Sequence, residues 1–212
     1  MNALCATLLL IGIVGDDKTT SWDFEDATIG NLPAGWTAAK TGKGEGSVWR
    51  IGVDKTAPKG TKVLAQTSPD GPNALFNLCI ADKSKFADLD LSIAFKAVAG
   101  KRDQGGGPMW RVKDADNYYV VRMNPLESNF RLYKVVAGKR IQLGDAEVTG
   151  DTGKWHTIRV VHKGQHIQCY FNGKKLLDVK DDAFSEAGKI GLWTKADAQT
   201  SFSNLVLRKP ID

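Results

Sequence analysis

An all-β, two-sheet antiparallel sandwich is the fold class this sequence predicts, and three observations predict it. Hydrophobicity alternates with period two in one short segment after another; no segment sustains helical periodicity over ten or more residues; and the segments end at Gly, Asp, Asn or Pro. The chain has 212 residues, 42% of them hydrophobic, which is enough to bury a full core as one domain. "LSIAFKAV", "NYYVVRM", "FRLYKVV", "HTIRVVHK", "HIQCYFNGKKLLDV" and "SFSNLVLR" each read as strands rich in β-branched and aromatic residues. Asn172-Gly173 lies between two apolar runs and predicts a two-residue hairpin, as does Gly164 within "HKGQH". About a dozen such strands make a sandwich or jelly roll with two sheets across one core.

The first 15 residues differ from the rest. "ALCATLLLIGIVG" has the length of the core of a secretory signal, is too short to span a bilayer, and gives way abruptly to "DDKTTSWDFED". Residues 1–15 are therefore expected to be a signal segment, leaving 16–212 as a single extracytoplasmic domain that is not an integral membrane protein. Only Met1 and Asn2 precede the apolar run, so a buried strand is the competing reading. The net charge of +5 comes from lysines and arginines scattered among acids, with no basic run, which argues against a nucleic-acid partner.

Cys79 and Cys169 sit in apolar, strand-like contexts; small free core thiols are favoured over a disulfide between them. His156, His162 and His166 cluster in sequence without the ligand spacing of a zinc site.

Residues 109–135, "MWRVKDADNYYVVRMNPLESNFRLYKV", predict three successive strands, each with an arginine. Side chains alternate along a strand, so Arg111 is expected to share a face with Met109 and Lys113. Arg122 shares one with Tyr118, Val120 and Asn124, and Arg131 with Asn129 and Tyr133. If the alternate apolar sets face the core, the three arginines converge on the outer face. Guanidinium forks beside flat rings suit a saccharide or sugar acid. The competing reading pairs them with Asp103, Asp114, Asp116 and Glu127 on a solvated surface, where each pair is worth only about 0–1 kcal/mol. Trp193 and Lys195 in "GLWTKAD" share a face and extend this platform, while most of the other tryptophans are expected in the core.

From "WDFEDATIGNLPAGW" to "GLWTKADAQTSFSNLVL" the chain resembles the bacterial family named for 3-keto-disaccharide hydrolases. The resemblance is carried by "DQGGGPMWRVKDADNYYVVRMNPLESNFRLYKV", "GKWHTIRVVHKGQHIQCYFNGKKLLDVKDDAF" and "GKIGLWTKADAQTSFSNLVL". It implies a concanavalin A-like, laminin-G-like jelly roll whose concave sheet holds the saccharide, and so a ligand face at Arg111, Arg122 and Arg131. It also implies hydrolysis or elimination of an oxidised sugar as one alternative to simple binding. A protein-binding adhesion or scaffold domain is the other.

No Glu-x-Asp-x-Glu strand of the laminarinase type is present, so a retaining two-glutamate mechanism is not expected. Asp181-Asp182 reads as a pair of solvated loop residues. "DQGGGP" precedes a strand and not a helix, so it is a tight loop and not a phosphate cradle. If chemistry occurs, Asp103, Glu127 and His156 are the candidate acids and bases. A structural calcium is the one cofactor left open: domains of the resembled fold place it beside an acidic N-terminal strand, and Asp23 and Glu25 are the hard oxygen ligands available.

Overall fold

Period-two alternation becomes fifteen strands, and no helix, among residues 19–210, which the computed structural model describes. The apolar run of residues 1–15, expected as a signal segment, lies outside the described residues. In chain order the strands are β1 Thr20–Trp22, β2 Trp36–Thr41, β3 Trp49–Val53, β4 Lys62–Gln66, β5 Phe76–Ala81, β6 Leu89–Ala99, β7 Gly107–Asp114 and β8 Asn117–Asn124. They continue as β9 Asn129–Val136, β10 Lys139–Glu147, β11 Trp155–Lys163, β12 His166–Phe171, β13 Lys174–Lys180, β14 Lys189–Lys195 and β15 Gln199–Arg208. Two antiparallel sheets result. One runs β13-β12-β11-β6-β15-β4-β3 with β1 also on β15; the other runs β10-β9-β8-β7-β14-β5-β2. The fold is the all-β jelly-roll sandwich the sequence predicts.

The hairpins form where the turn chemistry requires them. Asn172 (φ 47°) and Gly173 (φ 82°) join β12 to β13, and Gly164 (φ 59°) begins the two-residue link between Lys163 and His166, which pair directly. Two positive angles in succession are what a type I′ turn needs, and Asn-Gly supplies them at least steric cost.

Inward-facing side chains of both sheets make the main core. Ile93 and Phe95 of β6, Trp110 of β7, Tyr119 and Val121 of β8, Phe130 of β9, Ile158 of β11, Leu192 of β14 and Phe202 of β15 are all buried there. Each such side chain contributes about 1.5–3 kcal/mol. Cys79 and Cys169 join this core from opposite sheets as free thiols, and burial raises both above the usual thiol range.

The seven-stranded sheet is strongly curved. Arg140 is the second residue of β10, at one edge, yet its guanidinium carbon lies 5.3 Å from the ring of Phe76 on β5, five strands along. On a flat sheet five steps of ~4.8 Å would separate the two by about 24 Å. The sheet therefore curls around its outer face, which becomes a trough. At one end the β2 edge reaches back to the middle of the sheet: Thr41, ending β2, donates to Ala115 O of the β7–β8 turn and lies 2.8 Å from Tyr118 Oη. This end is filled by a second apolar cluster of Phe76, Leu78, Met109, Tyr118, Val120, Tyr133 and Trp193.

Arg111 departs from the predicted alternation. Its backbone is left-handed (φ 47°), and the β7 ladders to β8 and β14 both slip beside it. A β-bulge inserts an unpaired residue and redirects the side chains around it. Arg111 is accordingly buried and leaves the trough for the end of the sandwich, where Nε donates to Ala87 O (2.7 Å), Nη1 to Phe184 O (2.6 Å) and Nη2 to Gly164 O (2.9 Å). Asp88 completes the set at 3.4 Å. One guanidinium thus clips three loops together. Asp181 is likewise not a solvated loop residue, since it accepts from Tyr119 Oη (2.5 Å) and Lys134 Nζ (2.6 Å).

Candidate functional site

The open end of the trough carries the polar groups. Arg122 of β8 and Arg131 of β9 are direct cross-strand partners, an arrangement of like charges that destabilises a sheet unless something lies between them. Glu127, on the β8–β9 turn, does so. Its Oε2 accepts from Arg122 Nη2 (2.8 Å) and Arg131 Nη1 (3.4 Å). Burial opposes the Glu127 carboxylate, but the Asn129 amide and the two arginines outweigh it and hold its pKa below the usual range. Asn129 also accepts from Arg122 Nη1, Tyr133 Oη lies 3.4 Å from Arg122 Nη2, and Asp145 of β10 is 3.0 Å from Arg131 Nε. Arg122 is thereby fixed in one pose with only 2% of its surface exposed.

Beside this group lies Asp103, delivered by the loop between β6 and β7. Its carboxylate accepts from Asn124 Nδ2 (3.0 Å) and Lys195 Nζ (2.8 Å). Burial pushes the Asp103 carboxyl up; Lys195 and Arg122 offset only part of that rise. The loop is held by Asp197, whose carboxylate accepts from the amides of Lys101 (2.8 Å), Arg102 (3.1 Å) and Asp103 (3.0 Å). Burial works against the Asp197 charge, but those amides dominate and lower its pKa. Further along, Gly106 allows close packing: a Cβ there would lie 2.3 Å from Trp193 O. The "DQGGGP" stretch is thus a tight loop that carries Asp103 to the trough. Clefts of about 450 and 480 Å³ flank it and share Pro69, Lys101 and Asp197.

The predicted site residues therefore divide. Arg122, Asn124, Arg131, Tyr133, Glu127, Asp103 and Lys195 come together. Tyr118 and Trp193 lie on the same face but are fully buried, Trp193 Nε1 donating to Tyr118 Oη (3.2 Å), so they form the floor and offer no free ring. Arg111 is elsewhere. His156 belongs to the eight-stranded sheet, where it is bonded to Asp151 O (3.1 Å) and Asn172 Nδ2 (3.1 Å). Asp23 and Glu25 lie near the sandwich edge. Glu25 Oε1 accepts from the amides of Thr61 and Lys62 (both 2.7 Å), while Lys62 Nζ takes the carbonyls of Glu25 and Ala27 (2.6 and 2.8 Å). An ammonium thus already holds the carbonyl oxygens beside Glu25, and no group of three His, Cys, Asp or Glu side chains gathers as a metal site among the described residues.

Sequence reading missed Arg140, Asp145 and Asp197. Asp145 pairs with Arg131 in register across β10 and β9, a signal that the weakly amphipathic "GKRIQLGDAE" hides. Arg140 contacts a strand that lies some 60 residues away in sequence, and nothing local reveals it.

Solved structures similar to this chain share the fold. A carbohydrate-binding module from Bacillus subtilis is 19% identical with a TM-score of 0.66, over 82% of this chain and 96% of that one. A cellulose-induced protein is 13% identical with a TM-score of 0.64, over 89% and 96%. A Bacillus subtilis protein of unknown function with a galectin-like fold is 11% identical with a TM-score of 0.57, over 82% and 89%. No curated protein matches the chain. The sequence model of one family matches residues 24–208, from just after β1 to the end of β15, and spans both sheets and every residue of the trough. The chain belongs to the 3-keto-alpha-glucoside-1,2-lyase-like domain family.

Proposed function

We propose that the open end of the trough binds a saccharide or sugar acid. The observation that carries this is a polar set on one concave face whose better-exposed members, Lys195, Arg131 and Glu127, are held rigid by the buried Arg122, Asn124 and Asp103. Preorganised forks of this kind hydrogen-bond vicinal hydroxyls without further ordering cost. Family membership and the carbohydrate-binding module among the structural neighbours support the same reading. Action outside the cytoplasm belongs to the proposal too. It rests on the apolar run of residues 3–15, and a mature N-terminus at Asp16 is its check.

A second reading, elimination on a 3-keto glucoside, is favoured by the raised carboxyl of Asp103 held against an ammonium. A ketone acidifies the adjacent C2–H. Asp103 would take that proton, the C–H pair moving toward the ketone oxygen as an enolate; as the enolate collapses, C1=C2 forms and the C1–O bond breaks. Lys195 would bond to the ketone oxygen as it gains charge, and the departing oxygen would be protonated by solvent. General base catalysis of this type is worth about 10²–10⁴-fold.

The test is titration and turnover of a 3-keto-disaccharide and its unoxidised parent. Lys195→Met is expected to weaken binding at least tenfold. Asp103→Asn is expected to abolish turnover if elimination occurs, while leaving a folded protein. Binding that is unchanged in Lys195→Met would remove the trough from consideration.

A further inference from the structure

One cation in the trough has no counter-charge. Arg140 lies with its guanidinium carbon 4.3 Å from the Tyr133 ring and 5.3 Å from the Phe76 ring, bridging the two walls of the curved sheet. It is half-buried, its Nη1 is buried with no hydrogen-bond partner, and no carboxylate pairs with it among the described residues. Arg122 shares the Tyr133 ring, at 5.9 Å, and its Nε is likewise buried without a partner. The cations of the polar set are matched: Arg122 Nη2 and Arg131 by Glu127, Arg131 also by Asp145, and Lys195 by Asp103. A buried N–H without an acceptor carries an unrecovered desolvation cost, more so on a charged group, and calls for an explanation.

We infer that Arg140 makes the trough selective for sugars bearing a carboxylate, with the acid seated against Arg140 over the Tyr133 ring. The inference rests on the proposed saccharide role of the trough and narrows its ligand class. The chemistry is specific in kind. A carboxylate accepts two parallel N–H bonds from a guanidinium fork, which a lone hydroxyl cannot do. The aromatic rings hold the Arg140 plane fixed, so little side-chain freedom is lost when the acid arrives. Because Arg140 is only half-buried, a ligand reaches its outer nitrogens without the apolar floor opening. The carboxylate also neutralises the Arg140 charge, which no carboxylate among the described residues matches, whereas a neutral sugar leaves it unmatched.

The probes are a glucuronic-acid-terminated disaccharide and its carboxyl-reduced glucose counterpart, titrated calorimetrically against the whole chain. A 3-keto-disaccharide serves as a separate ligand for the trough itself. Wild type is expected to bind the glucuronide at least tenfold more tightly than the reduced sugar, and the preference should shrink as salt is raised. Arg140→Met keeps an apolar stem against Tyr133 and is expected to erase the preference, with Arg140→Lys restoring part of it. Near-UV circular dichroism establishes that each variant folds. Equal binding of the two sugars by wild type, or a preference that survives Arg140→Met, overturns the carboxylate inference and leaves the trough reading intact if the 3-keto-disaccharide still binds. Failure of all three ligands to bind the folded wild type overturns both.

Discussion

Arg111→Met is expected to destabilise the domain by about 3–5 kcal/mol, since it leaves three backbone carbonyls without their donor at about 1–3 kcal/mol each. The substitution keeps the apolar stem but strips the charged donors from three backbone carbonyls, Ala87 O, Gly164 O and Phe184 O; Asp88, half-exposed, keeps its bond from the Gly164 amide. Those carbonyls belong to three separate loops, so no rearrangement of one loop recovers them all. Lys174→Met, exposed at the start of β13, is the control and should stay within about 0.5 kcal/mol of wild type. Urea unfolding of the two variants decides the matter. A loss under about 1 kcal/mol for Arg111→Met would mean that the clip contributes little and that this buried arginine needs another explanation.

The same end of the sandwich makes stability pH-dependent. His162 is fully buried, its Nδ1 accepts from Trp110 Nε1 at 2.8 Å, and burial, reinforced by the nearby Arg111 charge, pushes its pKa down to about 3. An unfolded histidine titrates near 6.5, so between about 6.5 and about 3 the unfolded chain holds a proton that the folded chain refuses. Stability from this residue is complete above the unfolded value and is lost as pH falls through the window, by at most about 1.4 kcal/mol per pH unit. Asp103, whose carboxyl is raised, acts in the opposite sense near the acid end, so the informative quantity is the difference from a variant. His162→Gln retains an acceptor for Trp110 and removes the titration. Its stability between pH 6.5 and 4 should fall less steeply than that of wild type. Parallel curves would show that His162 is protonated in the folded state at ordinary acidity.

Much of this was readable from sequence, for identifiable reasons. Strands β8 and β9 alternate without interruption, so Arg122 and Arg131 fall on one face in register, as counting by twos predicts. Asn172-Gly173 marks its hairpin because few other pairs adopt two positive φ angles cheaply. Arg111 failed because one left-handed residue ends the count, and a non-glycine bulge leaves no mark in sequence. Alternation puts Trp193 and Tyr118 on the trough face but does not give their burial, because curvature is a property of the whole sheet. Asp181 reads as solvated in sequence because its partners Tyr119 and Lys134 are distant along the chain.

If the trough is the ligand face, amide chemical-shift mapping will show it residue by residue. On titration of isotope-labelled protein with a 3-keto-disaccharide, the largest shifts should fall on residues 103–107, 122–131 and 194–197. Shifts confined to the eight-stranded sheet, or to the Trp22 and Trp36 edge, would contradict it.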